Sequence, residues 1–433
     1  MNVSKAPRRR AEHTVHIDGI FLVPAEGAFF YDDQAAIRAG AIADGAWYSG
    51  FPTTPGFDAP RVPAAAMSIG LVFGEGLVAW GDAMSVQYAA AGGRERIFKP
   101  IEAIPTMLDE VGPNLRGRDV RAFRTNCKWL DSFETRDSRR LPAALRYGIS
   151  QAFLQAAAMA RHCTMAEVIH QDFNLPAIAR SVPVYAQSGD ERYVNVDKMI
   201  MKRVDVLPHG LINSRAKFGH KGRNFLDYLT WVVNRIGFLG ATNYSPSLHF
   251  DLYGTLGLEF GGSIDSIVAF LCDAEERSRG LPLCIESPID FGSEKAQVDG
   301  YSHLRKRLKS VGSKVRIAVD EWCNTLDDIH AFVAAGAADM IQIKVPDLGG
   351  LDRSILAVDI CKKSDVGAFL GGSCVETDIS ARASVHVAVA TQADMQLAKP
   401  GMGVDEALCI VRNEQQRLIA LLAKNGHFEK ASW

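Results

Sequence analysis

Four short apolar runs each end in a side chain that can do chemistry: Leu248-His249-Phe250-Asp251, Leu281-Pro282-Leu283-Cys284-Ile285-Glu286, Val315-Arg316-Ile317-Ala318-Val319-Asp320 and Met340-Ile341-Gln342-Ile343-Lys344. Three carboxylates with no cysteine or histidine cluster beside them form the oxygen ligand set of a hard divalent cation, for which Mg2+ is the common choice. A lysine held against such a cation is driven toward its neutral amine by like charge and by loss of water, and a neutral amine can take a proton. Metal and amine together can remove a hydrogen next to a carboxylate, because a cation already in place stabilises the enediolate without reorganisation. Taken singly, a strand-end acid is more often a loop anchor than a ligand. Four functional termini in one order are what argue for a site.

Each run has strand length and is followed by a helix-length segment, so the spacing predicts consecutive βα units. In a (β/α) barrel of the TIM type the C-terminal strand ends share one mouth, where Asp251, Glu286, Asp320 and Lys344 would converge. The barrel is expected to open with Val182-Pro183-Val184-Tyr185-Ala186-Gln187. Gln187 would then stand at the mouth, where a neutral amide can bind an ammonium without raising the net charge. A second strand should close on Val204-Asp205-Val206-Leu207-Pro208-His209; an isolated histidine is commonly a packing or surface residue, and spacing alone leaves His209 open. Gln342 lies two residues before Lys344 and shares its side of the pleat. The run from Val366 to Gly372 reads as another strand, ending in Ser373-Cys374, and backbone N–H groups after paired glycines can cradle a carboxylate. As a nucleophile Cys374 lacks a helix start or a neighbouring base to activate it. A last strand is expected near Asp394-Ala398, and from Val404 a helical pattern runs to a glycine stop at Gly426.

Ahead of the barrel, Val15 to about Ala41 alternates apolar and polar residues through VHIDGIFLV and then passes a polar turn before AAIRAGA. Met67–Phe73 and Leu77–Trp80 flank Gly74-Glu75-Gly76, the pattern of a β-hairpin. Helical spacing follows near 101–111, 119–132 and 141–160. Strands first and helices afterwards predict an α+β domain, which would cap the barrel mouth. The loop from Gln87 to Arg94 resembles a phosphate loop only superficially, lacking the Gly-Lys-Ser/Thr ending and a third glycine, and reads as a flexible glycine loop. The division expected is a capping domain over 1–175, with 1–14 a poorly ordered basic tail, and a barrel domain with its terminal helix over 176–433.

Composition sets outer limits on function. The chain has 433 residues, 47% hydrophobic and 23% charged, enough for a barrel plus a second domain. A formal net charge of -2 gives no electrostatic reason to expect nucleic acid or an anionic membrane as partner. No apolar run approaches the roughly 20 residues needed to span a bilayer. The basic opening MNVSKAPRRRAEH is not followed by an apolar segment, so a secretory signal is not expected. Eight scattered cysteines without a Cys-x-x-Cys pair fit a reducing compartment, and the expectation is the cytoplasm.

The segments HFDLYGTLG, CIESPID, AVDEWCNT, IQIKVPDLGG and LAKPGMGVDE resemble the methylaspartate ammonia-lyase family of the enolase superfamily. FFYDDQAAIRAGA, VQYAAAGGR, AQSGDERYVNVDKMI and DVLPHGLIN extend the resemblance over nearly all of the chain after about Phe29. It implies a Mg2+-dependent elimination of ammonia from L-threo-3-methylaspartate to give mesaconate, in a homodimer, with K+ as an activator. It also implies Asp251, Glu286 and Asp320 as metal ligands, Lys344 as the base and His209 as the second acid/base residue facing it. Gln87 and Gln187 would contact the substrate's amino group, Gln342 the metal-bound carboxylate, and Ser373 and Cys374 the second carboxylate. Threonine is expected where Ser373 stands, so the hydroxyl is kept and a methyl lost. Neither the dimer nor K+ has a residue pattern of its own. Dehydration of a hydroxy acid or racemisation by another enolase-type enzyme uses the same metal and base and differs in what leaves; the two glutamines favour an amine. A non-catalytic barrel would be expected to have lost an acid or the lysine, and a redox enzyme would need a nucleotide loop.

Overall fold

A computed structural model describes residues 14–425. The basic tail apart from residue 14, the glycine stop at Gly426 and the segment after it lie outside the described residues.

The chain opens with one long strand, β1 (Ile17–Asp32). The expected polar turn falls at Asp33, which caps the helix Gln34–Arg38, and within the strand the irregularity is a register shift between Glu26 and Phe30. The cause is a crossing over the barrel. A Cβ on Gly27 would lie 2.4 Å from Val375 O, and Ala28 N donates to Glu376 O at 3.3 Å, so this stretch is shaped by a neighbour distant in sequence. A small ribbon follows, β2 (Ile42–Asp44) with β3 (Trp47–Ser49). Then β4 (Arg61–Phe73) pairs antiparallel with β1 on one side and β5 (Leu77–Ala83) on the other, with Gly74-Glu75-Gly76 as the expected hairpin loop.

Helices at Pro100–Thr106, Phe123–Ser132 and Ala143–Arg161 match the expected segments. The last is alanine-rich and buried along most of its length. It lies flat on β5, where Gly81 and Gly148 meet: a Cβ on Gly81 would fall 2.0 Å from Gly148 O, and one on Gly148 would fall 2.8 Å from Ala83 N. No side chain fits at either place. The opposite face of this helix meets the barrel, where Ser150 Oγ accepts from Leu351 N at 2.9 Å. Thr164 caps the next helix, Met165–Phe173, in a reciprocal capping box with Glu167.

Eight parallel strands then close a barrel: β6 (Val184–Tyr185), β7 (Val206–His209), β8 (Ser247–Asp251), β9 (Leu283–Glu286), β10 (Arg316–Val319), β11 (Met340–Ile343), β12 (Gly367–Leu370) and β13 (Met395–Leu397). All but β8, which begins one residue early at Ser247, fall within the expected runs and are shorter at the edges; β9, for instance, starts after Pro282, which has no N–H to give a ladder. Period-two alternation sets the inside apart from the outside. Tyr185, Val206, Cys284, Ala318, Met340, Phe369, Met395 and Leu397 form a separate inner cluster, while outward residues such as Phe250 pack on helices, its ring 5.1 Å from Phe225. Asp405–Lys424 is the terminal helix. Among the described residues no helix is long and apolar enough to cross a membrane, and all eight cysteines are free thiols.

Candidate active site

The inner layer of β8, β9 and β10 carries the acids. His249 and Asp251 share the inward face of β8, as do Cys284 and Glu286 on β9, so each acid stands one inward step beyond a core residue. Asp251 pairs in register with Glu286, and Glu286 with Ala318, which sets Asp320 two residues further along. All three acids are buried, and their nearest oxygens lie within 4.8 Å of one another. Burial first, and then their mutual repulsion, pushes the carboxyls of Asp251 and Glu286 well above the usual carboxylate range. Burial acts the same way on Asp320, but Arg94 and Lys344 outweigh it and hold that group below the range. Three converging buried oxygens of like charge, with no cysteine or imidazole among them, fit a hard divalent cation, which would relieve their repulsion.

Neighbouring side chains fix the triad. Glu286 Oε2 lies 2.7 Å from His249 Nε2, and Oε1 accepts from Gln342 Nε2 at 2.5 Å. Asp251 Oδ1 accepts from Tyr253 N at 3.1 Å. Asp320 Oδ2 accepts from Lys344 Nζ at 2.7 Å, and Oδ1 from Arg94 Nη2 at 2.8 Å. Arg94 also holds Asp347 at 3.0 Å through Nε, and the buried Asp347 carboxyl is pushed up to about 6 despite it.

His209 ends β7, four strands from β11 in either direction around the closure, so it faces Lys344 across the barrel. Its Nδ1 accepts from Leu211 N at 3.3 Å, which leaves the hydrogen of a neutral ring on Nε2, 3.3 Å from Tyr253 Oη and 3.6 Å from Asp251 Oδ2. Burial, with His249 and Lys344 adding to it, pushes the imidazole down to about 3. The backbone at the mouth is held in left-handed conformations at non-glycine residues: φ is 67° at His209, 49° at Tyr253, 48° at Ser287 and 63° at Trp322. Strain of about 1–3 kcal/mol at such positions marks a site fixed by its surroundings.

Every candidate from the sequence except Glu286 lines one pocket: Gln87, Gln187, His209, Asp251, Asp320, Gln342, Lys344, Ser373 and Cys374. Glu286 sits just behind, under Gln342. The buried Gln342 Oε1 has no hydrogen-bond partner among the described residues. Two expectations are corrected here. The N–H of Ser373 is not free to cradle an anion, because it donates to Glu376 Oε2 at 2.9 Å. Ser373 brings its hydroxyl instead, which accepts from Gln87 N at 3.0 Å and keeps its own hydrogen to give. The Gln87–Arg94 loop, expected to be flexible, is docked: Gly92 O accepts from Trp322 N at 3.0 Å and Asn324 Nδ2 at 2.8 Å. Its glycines allow that approach, since a Cβ on Gly92 would lie 2.9 Å from Glu321 Cγ. Cys374 stays a thiol, its pKa raised by burial, with Sγ donating to Gln87 Oε1 at 3.3 Å.

Residues missed in the sequence include His249, for which the pleat period was the available signal, and Tyr253, which lies past the end of β8. Arg94 gave none, because its partners lie far along the chain.

A capped barrel with buried acids on three adjacent strands and a lysine on the next has the architecture of the enolase superfamily, and this chain has that fold. Comparison with known proteins narrows the class. Residues 15–174 match the model of the methylaspartate ammonia-lyase N-terminus and residues 176–424 that of its C-terminus. The chain belongs to the methylaspartate ammonia-lyase family. It is 46% identical over 411 residues to methylaspartate ammonia-lyase 1 of Carboxydothermus hydrogenoformans, covering 95% of this chain and 98% of that protein. The crystal structure of the Citrobacter amalonaticus methylaspartate ammonia-lyase containing (2S,3S)-3-methylaspartic acid superimposes with a TM-score of 0.92 at 44% identity, covering 94% of this chain and 100% of that one. The Mg complex of β-methylaspartase from Clostridium tetanomorphum does so with a TM-score of 0.88 at 41% identity, covering 95% and 100%.

Proposed function

We propose that this protein is a methylaspartate ammonia-lyase, a carbon–nitrogen lyase that converts L-threo-3-methylaspartate to mesaconate and ammonia. The single observation carrying the reading is the buried triad of Asp251, Glu286 and Asp320 with Lys344 bonded to its last member, in a pocket that also presents Gln87. Asp251, Glu286 and Asp320 would hold Mg2+, which supplies positive charge for the carboxylate next to carbon 3.

Lys344 takes the hydrogen from carbon 3, and Asp320 Oδ2, already bonded to its Nζ, orients the amine for that transfer. Gln87 and Gln187 hold the ammonium through amide oxygens, so the leaving nitrogen is bound without a carboxylate beside it. Ser373 Oγ gives its hydrogen to the second carboxylate, Cys374 turns its one S–H to it from Gln87 Oε1, and Gln342 binds the first carboxylate. His209, on the opposite side, serves the other face of carbon 3 or assists the leaving amine; with Nε2 protonated it is set to give a proton, and taking one requires that hydrogen to move first. The barrel closes the reaction from below, and the docked cap loop from above, which keeps water from the charged atoms.

The same reading takes the domain boundary near residue 175, a homodimer in the cytoplasm and K+ as activator as proposals; ultracentrifugation tests the dimer, and exchange of K+ for Na+ in the assay tests the activator. Purified protein with Mg2+ and L-threo-3-methylaspartate should release ammonia and build the ultraviolet absorbance of a conjugated diacid. The signal should vanish with EDTA and return with excess Mg2+. Aspartate should react roughly 10- to 200-fold more slowly for want of the methyl contact. If methylated and unmethylated aspartate both stay intact while a hydroxy diacid is dehydrated under the same conditions, the lyase reading is wrong and the dehydratase takes its place.

A further inference from the structure

Gln87 reaches the pocket from the cap, and the residues behind it take no part in the mechanism above. Its Nε2 donates to Asp32 Oδ2 at 2.8 Å, its carbonyl oxygen accepts from Asp32 N at 2.9 Å, and its Oε1 meets Cys374 Sγ within the pocket lining. Asp32 is fully buried. Arg61 grips it with both prongs, Nε to Oδ1 at 2.6 Å and Nη2 to Oδ2 at 2.8 Å. The guanidinium in turn lies 4.7 Å from the centre of the Tyr48 ring, 5.2 Å from Phe29 and 5.3 Å from Phe30, a cage that holds a flat cation in one orientation.

An amide can turn over and exchange its oxygen for its nitrogen at little cost unless a neighbour forbids it. Asp32, paired to Arg61, only accepts. With the Gln87 amide reversed, two oxygens would face each other at hydrogen-bond distance, and a bond to a charged group would be lost. The oxygen of Gln87 is therefore the atom turned toward the pocket, where it suits an ammonium and opposes a carboxylate.

We propose that Asp32, backed by Arg61, is a positioning residue that fixes the Gln87 amide oxygen toward the pocket and so sets the preference for an amine-bearing substrate. This deepens the ammonia-lyase reading and rests on it. Asp32 Oδ2 accepts from both Arg61 Nη2 and Gln87 Nε2, so Asp32→Asn, with its oxygen at that shared position, keeps the Gln87 direction. Asp32→Leu with Arg61→Met removes the acceptor and its paired cation together, and nothing then holds the Gln87 NH2 away from the pocket.

The test is calorimetric titration of the Mg2+-loaded protein in a Lys344→Ala background, where turnover is slowed by about 10²- to 10⁴-fold. The ligands are 3-methylaspartate and methylsuccinate, the same diacid without the amino group. Adding Asp32→Leu with Arg61→Met should weaken 3-methylaspartate by up to about 100-fold, the worth of one hydrogen bond to a charged group, and leave methylsuccinate as it was, which also shows that the variant is folded. Adding Asp32→Asn alone should keep the affinity ratio, because the acceptor at the shared position is kept. A double variant that keeps the unmutated ratio, or that loses both ligands equally, overturns the proposal. Wild-type protein that neither deaminates nor binds 3-methylaspartate fails the lyase reading and this inference with it. Wild-type protein that deaminates, beside an Asp32→Leu, Arg61→Met protein with an unchanged ratio, fails this inference alone.

Discussion

Lys344 and His209 end strands on opposite sides of the barrel, so each would meet carbon 3 of a bound diacid from its own side. Lys344→Ala should lower deamination of the threo substrate by about 10²- to 10⁴-fold, the usual worth of a positioned acid or base. His209→Ala should act harder on the erythro epimer. Deuterium uptake from solvent at carbon 3 reports each face separately, and equal losses for both epimers in both variants would contradict the division. The acids make a second residue-scale prediction: Glu286→Gln and Asp320→Asn should each weaken Mg2+ binding in a calorimetric titration while the circular dichroism stays unchanged, and unaltered affinity in both would remove them as ligands. These residues were legible because a strand has a period of two and a barrel one active end, so an acid closing an apolar run has one place to go. His249 had the same inward parity as Asp251 but carried no role until its Nε2 was seen 2.7 Å from Glu286 Oε2. Arg94 and Asp32 could not be read at all, since each acts through a partner that only the tertiary fold supplies.

At the scale of elements, the cap loop was misread for a related reason. Glycines in a sequence announce conformational freedom, yet Gly92 and Gly93 serve close approach. Gly93 has φ of 80° and would place a Cβ 3.2 Å from both Asn324 Nδ2 and the Trp322 ring. Gly93→Ala therefore combines left-handed strain of about 1 kcal/mol with a contact that must give. The loop should lift from the barrel, taking Gln87 and Arg94 with it. Turnover should fall at least about tenfold, equivalent to about 1.4 kcal/mol in the barrier, while Mg2+ affinity changes less, because the three acids proposed to hold it belong to the barrel. Stopped assays beside a Mg2+ titration check this, and wild-type turnover would show that the loop does not need its docked position. β1 shifts register between Glu26 and Phe30, where the barrel loop at Val375 and Glu376 meets it, a constraint no local pattern contains.

In the whole molecule, cap and barrel are tied through more than one kind of contact. Arg94 joins the cap loop to Asp320, itself a member of the acid triad. The helix Ala143–Arg161 is pressed between the cap sheet at Gly81 and the barrel at Leu351, and Tyr147 Oη donates to the buried Glu376 at 2.5 Å. Buried charges with partners in the other domain make partial unfolding costly, because separating the domains would strand them. The two parts should accordingly melt together, in a single calorimetric transition. Mg2+ held by the triad would bind the folded chain and not the unfolded one, so at a hundred times its Kd it should add about 2.7 kcal/mol. Spread over the unfolding entropy of a chain of this length, about 2.1 cal/mol/K per residue, that is a rise in Tm of about 3 °C. The whole transition should move, cap included, and the shift should vanish in Glu286→Gln. Two separate transitions, with Mg2+ raising one and leaving the other in place, would show that the cap is carried by the barrel without being coupled to its metal site.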